Sequence, residues 1–470
     1  MKKNIIFTPE KERDSSVIIE DIDTSYNNLD NRGAIKRERI HREAKFVIMA
    51  LLLVVSVLTG TLYKMMTCSS YITREELLNY TTVSSVMTDR FGNKIYTDGK
   101  VSNYPLYGNV VGCGEQIHNS LLYRYSDVLT QSEINPVYGD SSLETEPRVL
   151  KTTLLSEESL QEILDLFGGR NGCCFAYNYE TGEVYTAITA PYFSPDIADP
   201  TYINRCFDSL YIPGSTMKII TAALAVDQGI DVSKVEYTCE ESFTLNDGNK
   251  INCTAYHGKI DFSTAIGRSC NCYFAQLITD LDLNKALESL DKMGFAVNGE
   301  SKDSSMMDGI TIKTPSTVVA NTSNFRDVWG LIGQGDSLVN PVYMAQAAAA
   351  IVNNGKAAKP YLVSSIINPN HSDEVIYQSE TKMTRVLSSK TADKTAEFWK
   401  KAVDELYYSG HAMSDLISYA KTGTAQQGDG TENKLLVGVS KSTKTAFYIV
   451  VEGGGVDPME IANKLICLVP

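Results

Sequence analysis

The feature that most constrains this chain is an uncharged run, FVIMALLLVVSVLTGTLY, from Phe46 to Tyr63. As a helix its 18 residues extend about 27 Å, close to the hydrocarbon thickness of a bilayer. The run predicts a single membrane span. Residues 31 to 45 carry six basic side chains (Arg32, Lys36, Arg37, Arg39, Arg42, Lys45) against Glu38 and Glu43, which by the positive-inside rule puts the N-terminus in the cytoplasm and the rest outside. A cleaved signal peptide fits poorly, because some 45 residues precede the run and no A-x-A site follows it. Cys68 follows Met65-Met66-Thr67, a poor lipoprotein signal, so the helix is expected to be retained.

Composition enters through charge. Residues 65 to 470 hold 32 Lys and Arg against 48 Asp and Glu, and the whole chain has a net charge of -14. Affinity for a phosphate backbone comes from clustered cations, so nucleic acid is not an expected partner.

The expected organisation has four parts: a disordered cytoplasmic tail (1–45), the membrane helix (46–63), a juxtamembrane pedestal module (64–165) and a large catalytic domain (166–470). Residues 1 to 30 show no sustained apolar period. Between 65 and 165 lie short strand-like runs such as KIYTDG and a loop-like polar stretch, SEINPVYGDSSLETEPRV. From about residue 170 the pattern sharpens. CCFAYNY and EVYTAIT flank Glu180-Thr181-Gly182 and predict a hairpin, and helical periods follow around 215–228, 263–281, 284–294, 340–353 and 391–408. LISYAKTGTA, LLVGVS and TAFYIVVEG predict three closing strands, with PMEIANKLICLV a last helix. This order suggests an α+β fold with helices packed on an antiparallel sheet.

Three short motifs carry the chemistry. Ser215-Thr216-Met217-Lys218 begins an apolar helix after Pro213-Gly214, Ser269-Cys270-Asn271 falls in a second helical region, and Lys421-Thr422-Gly423-Thr424 lies on a late strand. They match the S-x-x-K, S-x-N and K-T-G set of penicillin-recognising serine acyltransferases. Residues i and i+3 share a helix face, so the Lys218 amine can reach the Ser215 hydroxyl. Desolvation and a second cation, Lys421, would lower the Lys218 pKa and let it act as general base. The first helical turn aims N–H groups and the positive dipole end at a developing oxyanion. Ser269 can pass a proton toward a leaving amine, and Asn271 can hold a substrate peptide bond. Lys421 with the hydroxyls of Thr422 and Thr424 suits a carboxylate, and Gly423 lets the strand approach the ligand. The implied ligand is a peptide with a free C-terminal carboxylate.

At these residues the chain resembles the class B penicillin-binding proteins, single-pass D,D-transpeptidases that cross-link bacterial peptidoglycan. The resemblance covers roughly residues 170 to 465, including AYNYETGEVYTAITAPYFSP, INRCFDSLYIPGSTMK, GQGDSLVNPVYMA and LLVGVS. It implies an αβα transpeptidase domain of the penicillin-binding and serine β-lactamase type, with a five-stranded antiparallel sheet. TDRFGNKIYTDG and YPLYGNVVG look like the short pedestal of the smaller members, and no glycosyltransferase domain is expected. The implied partners are stem peptides ending in D-Ala-D-Ala, β-lactams, the membrane, and a glycan polymerase with other cell-wall proteins acting in cell shape or division. The alternatives are a D,D-carboxypeptidase or β-lactamase, which would hydrolyse the same acyl-enzyme, and a scaffold or β-lactam sensor. Two departures stand out: Lys434-Leu435-Leu436 where the family often has a bulky aromatic, and cysteine in the middle of S-x-N.

The remaining chemistry-bearing residues are expected to be structural. No CxxC pair occurs and the histidines scatter at 41, 118, 257, 371 and 411, so neither a zinc site nor any cofactor is expected. Cys239 and Cys253 flank a turn, Leu245-Asn246-Asp247-Gly248, and read equally well as a disulfide or as two buried thiols. Cys270 and Cys272 read as packing, His257 as structural, and Gly330, Gly333 and Gly335 as turn residues.

Overall fold

A computed structural model describes residues 23–67, 85–97, 99–112, 119–130, 147–192, 203–298, 305–319, 321–369, 373–407 and 412–470. The first 22 residues of the expected tail, Cys68, and most of the polar stretch from Ser132 to Val149 lie outside the described residues. The chain divides into two compact units: Met1–Thr73 with Ile134–Ser142, and Arg74–Glu133 with Leu143–Pro470.

Among the described residues the first unit holds one helix, α1 (Asp23–Thr67). It begins inside the segment expected to be unstructured, because the Lys-, Arg- and Glu-rich stretch before the apolar run is itself a good helix former. Arg39 and Glu43, one turn apart, pair at 3.2 Å. Among the described residues, His41–Lys64 is the one helical segment long and apolar enough to cross a membrane. Its apolar side chains face outward, Leu53 at 66% exposure. The hydroxyls of Thr59 and Thr61 donate back to Val55 O (2.6 Å) and Val57 O (2.8 Å), which satisfies them without water.

The second unit starts with β1 (Val86–Thr88), β2 (Lys94–Thr97), β3 (Lys100–Val101) and β4 (Val149–Thr152). Helix α2 (Glu157–Asp165) follows, capped by the Ser156 side chain. The expected hairpin is present as β5 (Gly172–Asn178) and β6 (Val184–Ala190). Asn178 Oδ1 accepts from the N–H groups of Glu180 and Thr181 and closes its turn. Then come α3 (Met217–Asp227), four short strands β7 (Glu236–Cys239), β8 (Ser242–Thr244), β9 (Lys250–Asn252) and β10 (Gly258–Asp261), and helices α4 (Phe262–Gly267) and α5 (Asn271–Thr279). The period at 263–281 is thus two helices, because Ser269 between them sits in left-handed backbone with φ 55°.

Helix α6 (Pro341–Val352) is buried along nearly its whole length. Its cap Asn340 donates to the carbonyls of Cys206, Phe207 and Ser209 at 3.1 Å each. Strands β11 (Val363–Asn368) and β12 (Glu374–Gln378) complete the sheet begun by β1–β4, in the order β12-β11-β4-β1-β2-β3. Strand β4 therefore pairs with chain from about 200 residues later. After α7 (Ser389–Ala402) come β13 (Tyr419–Gln426), β14 (Glu432–Ser440), β15 (Thr445–Val451) and α8 (Pro458–Leu468).

The central sheet runs β13-β14-β15-β5-β6, antiparallel throughout. Every residue of β6 and β15 is buried, so both faces are covered; α6 packs on β5, β14 and β15, and α8 on β14 and β15. The expected five-stranded sheet with helical layers is what the chain forms. β13 is an edge of this sheet, which leaves one side of the Lys421-Thr422-Gly423 strand free to face a cleft.

Candidate active site

Ser215 sits in a single 3-10 turn, Gly214–Thr216, that leads into α3. Gly214 takes φ 53°, and a Cβ there would come within 2.7 Å of Thr424 O and 3.1 Å of Thr424 N. A Cβ on Gly423 would meet Pro213 O at 3.0 Å. Glycine at both positions lets the serine turn lie directly against the edge strand β13. Thr216 fixes the turn by donating to Pro213 O at 2.6 Å. The N–H groups of Thr216 and Met217 bond back within it, so the helix start does not offer them to a ligand as the sequence suggested.

Lys218 is fully buried, and its Nζ donates to Ser215 Oγ (2.7 Å), Asn271 Oδ1 (2.8 Å) and Ser269 Oγ (3.4 Å). Lys421, also fully buried, reaches the same Ser269 Oγ at 3.1 Å and Thr422 O at 2.8 Å. Ser269 therefore bridges the two amines, and the left-handed backbone at this residue aims its hydroxyl between them. Burial, reinforced by the Lys421 charge, holds Lys218 well below its usual ammonium range. Burial alone pushes Lys421 down to about 7.

Asn271 opens α5. Its Nδ2 donates to Asn252 O at 2.9 Å while its Oδ1 accepts from Lys218, which leaves one amide hydrogen for a ligand. Thr422 and Thr424 lie farther along β13, and Thr424 Oγ1 accepts from Lys434 Nζ (3.2 Å), which also pairs with Glu432 (3.1 Å). Lys434 thus stands directly across the strand pair from Thr424.

All three motifs line one cleft of about 570 Å³, with Trp329, Gln334 and the Asn252–Thr254 segment on its other borders. The structure brings together Ser215, Lys218, Ser269, Asn271, Lys421, Thr422, Gly423 and Thr424. The sequence reading missed Asn252 and Gln334, because each reaches the cleft by packing of segments distant in the chain, and it noted Lys434 only as a departure, not as the partner of Thr424. Cys239 and Cys253 are free thiols rather than a bridge, and among the described residues every cysteine is free. The reason is geometric: the two sulfurs converge with His257 and Cys270 on a common point.

Residues 172–465 match the family described as the penicillin binding protein transpeptidase domain. The peptidoglycan D,D-transpeptidase PbpA of Mycolicibacterium smegmatis is 24% identical over 319 residues, 61% of this chain and 63% of that protein. Stage V sporulation protein D of Bacillus subtilis is 28% identical over 260 residues, 54% of this chain and 39% of the relative. The chain therefore spans less than two thirds of either relative's length. Among solved structures, the ceftriaxone acyl-enzyme complex of penicillin-binding protein A from M. tuberculosis superposes with a TM-score of 0.70 at 19% identity, covering 83% of this chain and 99% of that one. A D,D-transpeptidase domain from Eggerthella lenta gives 0.67 at 21% identity, covering 82% and 97%.

Proposed function

The chain belongs to the penicillin-binding protein transpeptidase family, among its class B members, and from this footing we propose that it is a membrane-anchored D,D-transpeptidase cross-linking peptidoglycan stem peptides. The observation that carries the reading is the buried Lys218 amine 2.7 Å from Ser215 Oγ, with Lys421 across the shared Ser269 hydroxyl.

In this reading neutral Lys218 takes the proton as Ser215 Oγ attacks the carbonyl between the two terminal D-Ala residues. Ser269 relays the proton to the departing D-Ala amine, whose carboxylate rests on protonated Lys421 and the hydroxyls of Thr422 and Thr424. Asn271 holds the donor peptide with its remaining N–H. An acceptor amine then attacks the ester, returns its proton through the same groups, and leaves the new peptide bond. A β-lactam enters by the same attack, but its amine stays tethered to the acyl group.

The basic excess before Phe46 supports an N-terminus on the cytoplasmic side and a catalytic unit outside, where a glycan polymerase would supply its substrate. The test is Ser215→Ala in the full chain. Loss of one hydroxyl in a helix-entry turn costs at most about 1 kcal/mol of stability, so the variant should fold. It should lose covalent labelling by penicillin and cross-linking of D-Ala-D-Ala donors to an amine acceptor. Wild-type cross-linking by this variant would overturn the assignment and favour the scaffold.

A further inference from the structure

Beside the cleft, Cys239 at the end of β7, Cys253 just after β9, His257 before β10 and Cys270 at the cap of α5 bring their ligand atoms within 4.8 Å of one another. We propose that these four side chains bind a structural zinc ion that clamps the Ser269-Cys270-Asn271 turn in position. Three thiolates and one imidazole are a recurrent donor set for closed zinc sites. The distances fit the metal. Zn–S bonds of about 2.3 Å and Zn–N bonds of about 2.05 Å at tetrahedral angles put sulfurs about 3.8 Å apart and sulfur about 3.6 Å from nitrogen. Cys253 Sγ lies 3.8 Å from Cys270 Sγ, and His257 Nδ1 lies 3.5 Å from both Cys239 Sγ and Cys253 Sγ. A disulfide would need about 2.05 Å, so these are not oxidised pairs.

The four ligands come from separate pieces of chain. Cys239 and the residue after His257, Gly258, face each other across the β7–β10 pair. Cys253 closes the β8–β9 hairpin, and Cys270 caps α5 by accepting from Tyr273 N. Metal binding would therefore tie both hairpins to the helix cap. The consequence for the cleft is direct, because each side of one contact carries a ligand. Asn271 Nδ2 donates to Asn252 O at 2.9 Å, with Cys270 preceding Asn271 and Cys253 following Asn252. Ser269, adjacent to Cys270, holds φ 55°, a conformation that needs external support in a residue other than glycine. The four ligands are positioning residues for Ser269 and Asn271 and do not touch the reacting atoms.

The experiment uses the full chain, purified with reductant and supplied with zinc. Elemental analysis should find about one zinc per chain, and replacement by cobalt should give the intense visible absorption of a tetrahedral thiolate complex. Cys239→Ser should lose most of the metal, and His257→Cys, which keeps a fourth ligand, should retain it. Cys467→Ser, at an exposed cysteine outside the cluster, should also retain it. In the metal-depleted protein the acylation rate at saturating penicillin should fall at least tenfold with half-saturation nearly unchanged, because Lys421, Thr422 and Thr424 lie on the opposite wall. Less than a tenth of a zinc per chain in the wild type, a disulfide mapped between any two of the four positions, or full acylation after zinc removal would each overturn the proposal. The zinc content is read on the wild type, so it holds even if a variant fails to fold.

Discussion

The two walls of the cleft are held in place differently. One wall is the Pro213–Met217 turn laid against β13, where separation is set by main chain: Gly214 and Gly423 leave no room for a side chain between the two segments. The opposite wall is Ser269–Asn271 with Asn252–Thr254, where position depends on side chains, namely an asparagine bridge, a left-handed serine and the thiol–imidazole cluster. Lys218 links them by bonding Ser215 on one side and Asn271 on the other. The first wall is therefore a property of the core sheet, and the second of contacts that can be removed one at a time.

The sharpest probe of the link is Lys218→Arg. Guanidinium stays cationic and cannot accept a proton at any working pH, so penicillin acylation should drop by on the order of 10²–10⁴-fold. Near-normal rates would move the base elsewhere and separate the two walls functionally.

Gly423→Val tests the main-chain wall. Its branched carbons would press on Pro213 O and Thr216, costing about 1–3 kcal/mol of stability and opening the Ser215 turn from β13. A melting temperature and acylation rate equal to wild type would show that the turn does not depend on this close approach.

The pH profile of acylation probes the two amines together. Lys218 must be neutral, and its pKa is lowered by burial and then by Lys421, so the rate rises as pH increases through that lowered value. Lys421 must be protonated to hold a carboxylate, and its pKa is about 7, so the rate falls above neutrality. Lys421→Arg should remove that fall while leaving the acidic limb. An unchanged alkaline limb in this variant would mean another group titrates there.

The smallest effect is expected at Lys434→Ala. The ammonium is partly exposed and shared between Thr424 and Glu432, so its loss should change stability by less than about 1 kcal/mol. Half-saturation by peptide substrate should shift only a few-fold, through the freed Thr424 hydroxyl; a large drop in the acylation rate itself would promote Lys434 from the rim to the site.

Much of the first wall was legible in the sequence. S-x-x-K works within one helical turn, and K-T-G lies on a strand whose apolar neighbours mark it as part of a sheet, so short spacing and periodicity were enough. The second wall was less so. The single left-handed residue that splits the period at 263–281 leaves no periodic trace, and Asn271 reads as a free amide until Asn252 is folded against it. Residues 363–378 gave no sign that they complete a sheet with strands near residue 90, because partner choice depends on which edges remain open after the core has formed.

By itself, then, the sequence determined an apolar run long enough to cross a membrane, the order of strands and helices in the second unit, and the spacing that sets the Ser215 hydroxyl beside the Lys218 amine. These follow from local rules, in which apolar length, side-chain period and i, i+3 spacing act within a few turns of chain. Only the tertiary structure decided that both lysines are stripped of water around one serine hydroxyl, and that Cys239, Cys253, His257 and Cys270 meet at one point. Desolvation and ligand convergence are properties of volume, set by which distant segments pack together, and no spacing along the chain encodes them.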